Sequence, residues 1–166
     1  NGSVMPFFLN KKKSNESFLP ITDSGMTRFN ISLEDGCEMV FHAIEKAWGG
    51  EIFIPKIPSY LITDVATAIA PEMEQKIVGI RPGEKLHEEM ITSSDSYNTV
   101  DLGKYYAILP QKSPYSRFSK EEYKKAFNGV DVSNGFSYNS GNNSEWETIE
   151  NLREMVKIHV DPNFKA

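Results

Sequence analysis

A chain of 166 residues with 39% apolar side chains, 25% charged side chains and a net charge of -5 has a globular composition, long enough for one domain with a proper core and short for two. The acidic balance supplies no basic field, which disfavours nucleic acid or an anionic membrane as partner, and no apolar stretch approaches a membrane span. The lone Cys37 cannot form an internal disulfide and no signal-peptide pattern is visible, so a reducing cytoplasm is the expected setting. The chain opens at Asn1 and not at a methionine, so we expect a piece of a longer product.

Gly2-Ser3-Val4-Met5-Pro6-Phe7-Phe8 predicts a helix start, with Ser3 as N-cap, Pro6 in the first turn and Val4, Phe7 and Phe8 on one face. Lys11-Lys12-Lys13 suits its C-terminal end. Phe18 to Thr22 reads as a strand, Asp23-Ser24-Gly25 as a turn, and Met26 to Ile31 as a second strand carrying Arg28. Ser32-Leu33-Glu34-Asp35 is a capping-box variant. It opens a helix whose Leu33, Cys37, Val40, Phe41, Ile44 and Trp48 form an apolar stripe before Gly49-Gly50. On that stripe Cys37 is expected as a small buried hydrophobe, and His42, off it, as a surface residue. Glu51 to Pro55 is a short strand, Lys56 to Ser59 an irregular connection, and Thr63 the cap of a helix through Ala70. Beyond a polar loop at 93–98 comes a strand from Tyr105 to Leu109. Residues 111–144 are loop-rich apart from an amphipathic piece at 120–127. Ser144-x-x-Glu147 is expected to cap a last helix over about 145–160, with Ile149, Leu152, Val156 and Val160 on one face.

The chemistry concentrates around residue 81. Ile77 to Ile80 reads as a short buried strand that stops at Arg81-Pro82-Gly83. A guanidinium is thereby held at a strand end, where α/β sheets take their ligands, with Glu84 on the same turn. The planar fork of arginine suits phosphate and a carboxylate can accept from sugar hydroxyls, so a nucleotide diphosphate is a natural guest. Spacing alone leaves a solvated Arg81–Glu84 ion pair as the alternative. His42, His87 and His159 show no metal-ligand spacing, and His87-Glu88-Glu89 is a weak metal signal. The chain has no nucleophile elbow, P-loop or G-x-G-x-x-G loop, and no tyrosine with a lysine four residues downstream.

Several segments in order carry a resemblance: Gly2 to Phe8, Pro20-Ile21-Thr22-Asp23 with Met26-Thr27-Arg28-Phe29, Ile31 to Gly36, Gly50 to Ser59, Ile62-Thr63-Asp64, and Gly79 to Glu88. Together they resemble the C-terminal half of the inverting UDP-N-acetylglucosamine 4,6-dehydratases, extended short-chain dehydrogenase/reductases of pseudaminic acid and surface-polysaccharide pathways. The resemblance runs from Gly2 to about Trp146, with the last helix matching only in type.

It implies an α/β fold, a single UDP-sugar-binding domain over 1–166, and a Rossmann half lying elsewhere. That other half would hold NADP and the catalytic groups, so no catalytic, cofactor or metal ligand is assigned to this chain. In the implied reaction hydride leaves C4 of UDP-GlcNAc, water leaves from C6, and hydride returns to C6, with inversion at C5. By similarity Arg28 and Arg81 would clamp the diphosphate, and Glu84 would accept from the ribose. Val4 and Pro6 would line the uracil pocket, Thr22 and Met26 would belong to the same wall, and Lys56 is a further candidate. A homo-oligomer is implied, as is an intimate partner, its own N-terminal half or other copies. Without one, strands near Ile52 and Ile77 would present open edges. Asn1, where relatives usually have arginine, and Asn30, where they commonly have an aromatic residue, depart from the pattern.

Overall fold

The computed structural model describes residues 4–111 and 117–166; Asn1, Gly2, the expected cap Ser3 and part of the expected 111–144 loop lie outside the described residues. In chain order the first elements are α1 (Val4–Lys13), β1 (Phe18–Ile21), β2 (Thr27–Phe29), α2 (Leu33–Lys46), β3 (Ile52–Pro55), β4 (Ser59–Leu61), α3 (Ile62–Ile69) and β5 (Glu74–Ile77). There follow β6 (Glu89–Ile91), a 3-10 turn (Asp95–Asn98), β7 (Thr99–Asp101), β8 (Tyr105–Ile108), α4 (Lys120–Phe127), β9 (Val130–Asp131), β10 (Tyr138–Asn139) and α5 (Ile149–His159). This is a mixed α/β chain. The sequence suggests one domain; Cα packing groups the chain into two compact units.

The first unit comprises Asn1–Asn30, Pro58–Glu88 and Ser140–Ala166. Its centre is α3, packed against α1 and α5. Val65, Ala66, Ala68 and Ile69 are fully buried, and Phe8 of α1 with Leu152 and Val156 of α5 close over them. The basic end of α1 is tied down. Lys12 Nζ donates to the Ile69 carbonyl (2.8 Å), at the last turn of α3, and Lys13 pairs with Asp161 (2.7 Å).

Five local expectations change in this unit. The strand beside β1 is Glu74–Ile77, parallel and in register Phe18↔Glu74 to Ile21↔Ile77, so the apolar run 77–80 lies mostly beyond it. β1 ends at Ile21 and Gly79 takes φ +90, so the ladder has no partner to extend along, and Val78 and Ile80 stay half-exposed. Ser59, expected at the end of an irregular connection, instead opens β4 (Ser59–Leu61), which pairs antiparallel with β2, itself shorter than the expected 26–31. Thr63 is not a cap: α3 starts at Ile62 with Leu61 as N-cap and no side-chain hydrogen bond. Ser144 is not one either. Ser59 N–H donates to the Glu145 carbonyl and Glu147 N–H to the Ser59 carbonyl, which holds 145–147 extended; Thr148 caps α5 instead. Glu147 is thereby freed to accept from Asn30 Nδ2 (2.7 Å), which gives that departure from the family pattern a structural partner.

The second unit comprises Ile31–Ile57 and Glu89–Asn139. Its sheet runs β3-β8-β7-β9 with every neighbour antiparallel, and Val100, Ala107, Leu109 and Tyr123 are its buried core. α4 starts with a full capping box between Ser119 and Glu122 and ends at Asn128 in the left-handed region. The capping box of α2, Ser32 with Asp35, is present as expected. Its burial is not: α2 has no buried residue, Cys37 is exposed, and Leu33 and Ile44 are 79% and 75% exposed. Within the unit it is His42 that turns inward, stacking on Tyr105 at 4.4 Å and meeting Phe53 edge-on. Burial holds its pKa below the usual histidine value. Trp48 lies beyond the helix and meets Phe118, Tyr123 and Phe127.

Candidate functional site

A cleft of about 760 Å³ opens in the first unit. α1 contributes Val4, Pro6, Phe7, Phe8 and Asn10, and the β1 region Pro20 and Thr22. Met26, Arg28 and Phe29 come from β2 and its approach, Tyr60 and Ile62 from β4 and α3, and Val78, Arg81, Glu84 and Glu88 from the segment after β5. Seven of the eight sequence candidates, Val4, Pro6, Thr22, Met26, Arg28, Arg81 and Glu84, therefore share one cleft. Lys56 is not among its lining residues. It belongs to the second unit, where Asp101 takes its ammonium through both carboxylate oxygens (2.7 and 2.8 Å) over the Tyr106 ring.

The two arginines are held differently. Arg28 is half-buried and anchored: Nη1 donates to the carbonyls of Thr27 (2.6 Å) and Leu86 (3.3 Å), Nη2 meets Met26 Sδ, and Nε lies 3.8 Å from Glu88 Oε1. Arg81 is exposed on its turn. Glu84 N–H donates to the Arg81 carbonyl (3.0 Å), while Glu84 Oε2 accepts from Arg81 N–H (3.1 Å). The alternative of an Arg81–Glu84 ion pair is not what forms: the carboxylate is bound to the backbone amide. Among the described residues no hydrogen bond or ion pair engages the Arg81 guanidinium, so its fork is available to an anion.

Nine further residues line the cleft that were not among the sequence candidates, and two of them, Tyr60 and Glu88, are ionisable. Tyr60 sits directly across from Arg28 in the β2–β4 pairing. Its hydroxyl pKa is pushed up to about 12, first by burial and then by the Glu88 carboxylate, so it remains a neutral donor at ordinary pH. Glu88 accepts from Phe29 N–H (3.1 Å) and faces Arg28. A period-two pattern around Ser59-Tyr60-Leu61 is too short to signal β4, and Glu88 is hidden in a charged run. The weak His87-Glu88-Glu89 metal signal dissolves, because His87 turns to Thr27 while Glu88 turns to Phe29. Among the described residues no group of three or more His, Cys, Asp or Glu side chains could hold a metal, and no helix is long and apolar enough to cross a membrane.

The described residues do not fit NADP, the cofactor implied by the resemblance. A dinucleotide needs a glycine loop leading into a helix whose first turn welcomes phosphate. α2, α3, α4 and α5 instead carry Glu34 and Asp35, Asp64, Glu121 and Glu122, and Glu150 in their first turns. α1 lacks such carboxylates, and its side chains already wall the cleft. A polar wall with two guanidiniums, a neutral phenol and two carboxylates, facing apolar Val4, Pro6 and Phe7, can instead receive a phosphorylated ligand with a flat apolar end.

Comparison with known proteins agrees with the resemblance. The chain is 49% identical over 160 residues to the UDP-N-acetylglucosamine 4,6-dehydratase (inverting) of Campylobacter jejuni subsp. jejuni serotype O:2, a match covering 93% of this chain and 47% of that protein. It is 39% identical over 111 residues, 64% of this chain and 32% of the relative, to the UDP-glucose 4-epimerase of Rickettsia bellii. The X-ray structure of Pen from Bacillus thuringiensis superposes with a TM-score of 0.72 at 27% identity, over 94% of this chain and 45% of that one. The chain thus spans about half the length of the Campylobacter relative it matches. A family model described as polysaccharide biosynthesis protein matches residues 1–110. The chain belongs to the polysaccharide biosynthesis protein family.

Proposed function

We propose that this chain is the nucleotide-sugar-binding half of a C5-inverting UDP-GlcNAc 4,6-dehydratase. The complete enzyme would convert UDP-GlcNAc to a UDP-4-keto-6-deoxy sugar in the cytoplasm, in pseudaminic acid or surface-polysaccharide synthesis. One observation carries the reading: Arg28 and Arg81, from different segments, line the same cleft, with Glu84 on its rim. In it the two guanidiniums hold the diphosphate, Glu84 the ribose hydroxyls, and Val4 and Pro6 the uracil, with Thr22 and Met26 in the wall. Lys56, salt-bridged to Asp101, is left out of the grip. NADP and the acid–base groups belong to the other half.

Two features support a partner polypeptide corresponding to that other half. The apolar stripe of α2 faces outward, and β3 and β5 are edge strands. Leu33, Phe41 and Ile44 are 79%, 66% and 75% exposed on that one helix, and contiguous exposed apolar surface marks an interaction site. Assembly of the complete enzyme into a homo-oligomer is part of the same reading. The Rickettsia relatives favour a second reading, a UDP-sugar 4-epimerase, that shares this grip and differs in the other half.

The test is titration of the chain with UDP, followed by incubation with UDP-GlcNAc and NADP⁺. UDP binding without 4-keto product is the expected result. Turnover by the chain alone would overturn the division of labour, and no binding of UDP to chain or complete enzyme would overturn the grip.

A further inference from the structure

Beneath Arg28, three segments remote in sequence meet in one hydrogen-bonded chain. Thr27 Oγ1 lies 2.7 Å from His87 Nδ1 and 2.7 Å from Ser140 Oγ, and Ser140 Oγ lies 2.9 Å from the backbone nitrogen of Glu88. Thr27 and Ser140 are buried. The direction of this chain follows from its ends. Glu88 N–H can only donate, so Ser140 Oγ accepts. The Ser140 proton then goes to Thr27 Oγ1, and the Thr27 proton to His87 Nδ1, which must accept, leaving the ring proton on Nε2. The reverse order would strand the Ser140 proton in a fully buried site, at a cost that native structures avoid. A second observation shows that the ring is built into place: a Cβ at Gly141 would fall 2.6 Å from His87 Nδ1, so only glycine lets that backbone lie against the imidazole.

We propose that Thr27, His87 and Ser140 are positioning residues that aim Arg28 at the phosphates of a nucleotide. This rests on the nucleotide reading of the cleft. The two carbonyls that hold the guanidinium belong to Thr27 and Leu86, and Thr27 N–H donates to the Leu86 carbonyl (3.1 Å). The hydroxyl chain clamps the 86–88 segment onto β2, and with it the spacing of those two carbonyls. Release of the clamp lets them part, and Arg28 loses its fixed direction while keeping its charge. The effect therefore falls on phosphate recognition and spares the uracil wall.

The experiment is NMR on the full 166-residue chain. Long-range nitrogen–proton correlations should show His87 as the Nε2–H tautomer; the Nδ1–H form would overturn the proposal. Titrations of Thr27→Val with UDP and with uridine should show UDP affinity about three- to tenfold weaker and uridine affinity unchanged. Equal losses for both ligands, or no loss for UDP, would leave a merely structural role and refute positioning. Should Thr27→Val not fold, Ser140→Ala serves the same comparison. If neither the unaltered chain nor the complete enzyme binds either ligand, the nucleotide reading of the cleft fails on its own. The Arg28 Nε–H resonance then decides: a shift in the variant supports the clamp, and an unmoved resonance sinks it.

Discussion

The two units use their apolar residues in opposite ways. Among the described residues the first unit buries sixteen apolar side chains in one core around α3, whereas the second buries nine, of which Val100, Ala107, Leu109 and Tyr123 form its one cluster. In the first unit the helices turn their apolar faces inward, and Arg28, Arg81, Glu84 and Glu88 line one cleft. In the second, the most apolar stripe, on α2, faces out. A helix is amphipathic toward whatever layer it covers, and periodicity reports the stripe without naming that layer. The unit with the filled core holds the candidate cleft, and the unit with the outward stripe leaves Leu33, Phe41 and Ile44 exposed.

The largest expected effect separates the cores. Phe8→Ala should destabilise the chain by about 3–5 kcal/mol in denaturant unfolding, because Phe8 is 1% exposed in the first unit. Phe41→Ser on α2 should stay within about 0.5 kcal/mol and should reduce association with partner or copies, read by sedimentation. An unfolding cost as large as that of Phe8→Ala would erase the contrast between the units.

Next comes the grip. Arg81→Ala should weaken UDP binding in the complete enzyme by about 2–5 kcal/mol and leave thermal stability unchanged, since Arg81 is exposed and without a side-chain partner among the described residues. A loss of stability equal to the loss of binding would make it a structural arginine.

Tyr60 gives an alkaline signature that the second unit should not reproduce at His42. Its folded pKa of about 12 exceeds the ordinary value of 10, so its contribution is complete below pH 10 and lost as pH rises toward 12. Tyr60→Phe should flatten that fall in a stability-versus-pH series. His42 has a lowered pKa, so its neutral form favours folding, and stability should drop as pH falls through the histidine range.

The smallest effect is one in which the units agree. Asp161 is held below the usual carboxylate range by Lys13 and by Asn163 N–H, and Asp131 by Lys120 and Lys124. Both contributions are present above the unfolded pKa and lost as pH falls through the folded one, and salt should mute them. Lys13→Gln and Lys120→Gln should each slightly blunt acid unfolding, and a large effect in either would mark an ion pair more important than its exposure suggests.

Much was legible in the residues alone, because it depends on neighbours in sequence. The capping box at Ser32 follows from a side chain reaching three residues along the backbone, and the short helix over 120–127 from its amphipathic pattern. The Arg81–Glu84 turn follows from Pro-Gly, and the grouping of seven candidate residues followed from ordered motifs of a known family. What only the tertiary structure decided were matters of partnership at a distance. Whether 77–80 or 74–77 is the strand depends on where β1 ends. Whether Ser144 or Thr148 caps α5 depends on β4 holding 145–147 extended. Whether Lys56 serves a ligand depends on Asp101, forty-five positions away. Local chemistry is written in spacing along the chain; the choice of which face, which register and which counter-charge is made by segments that only folding brings together.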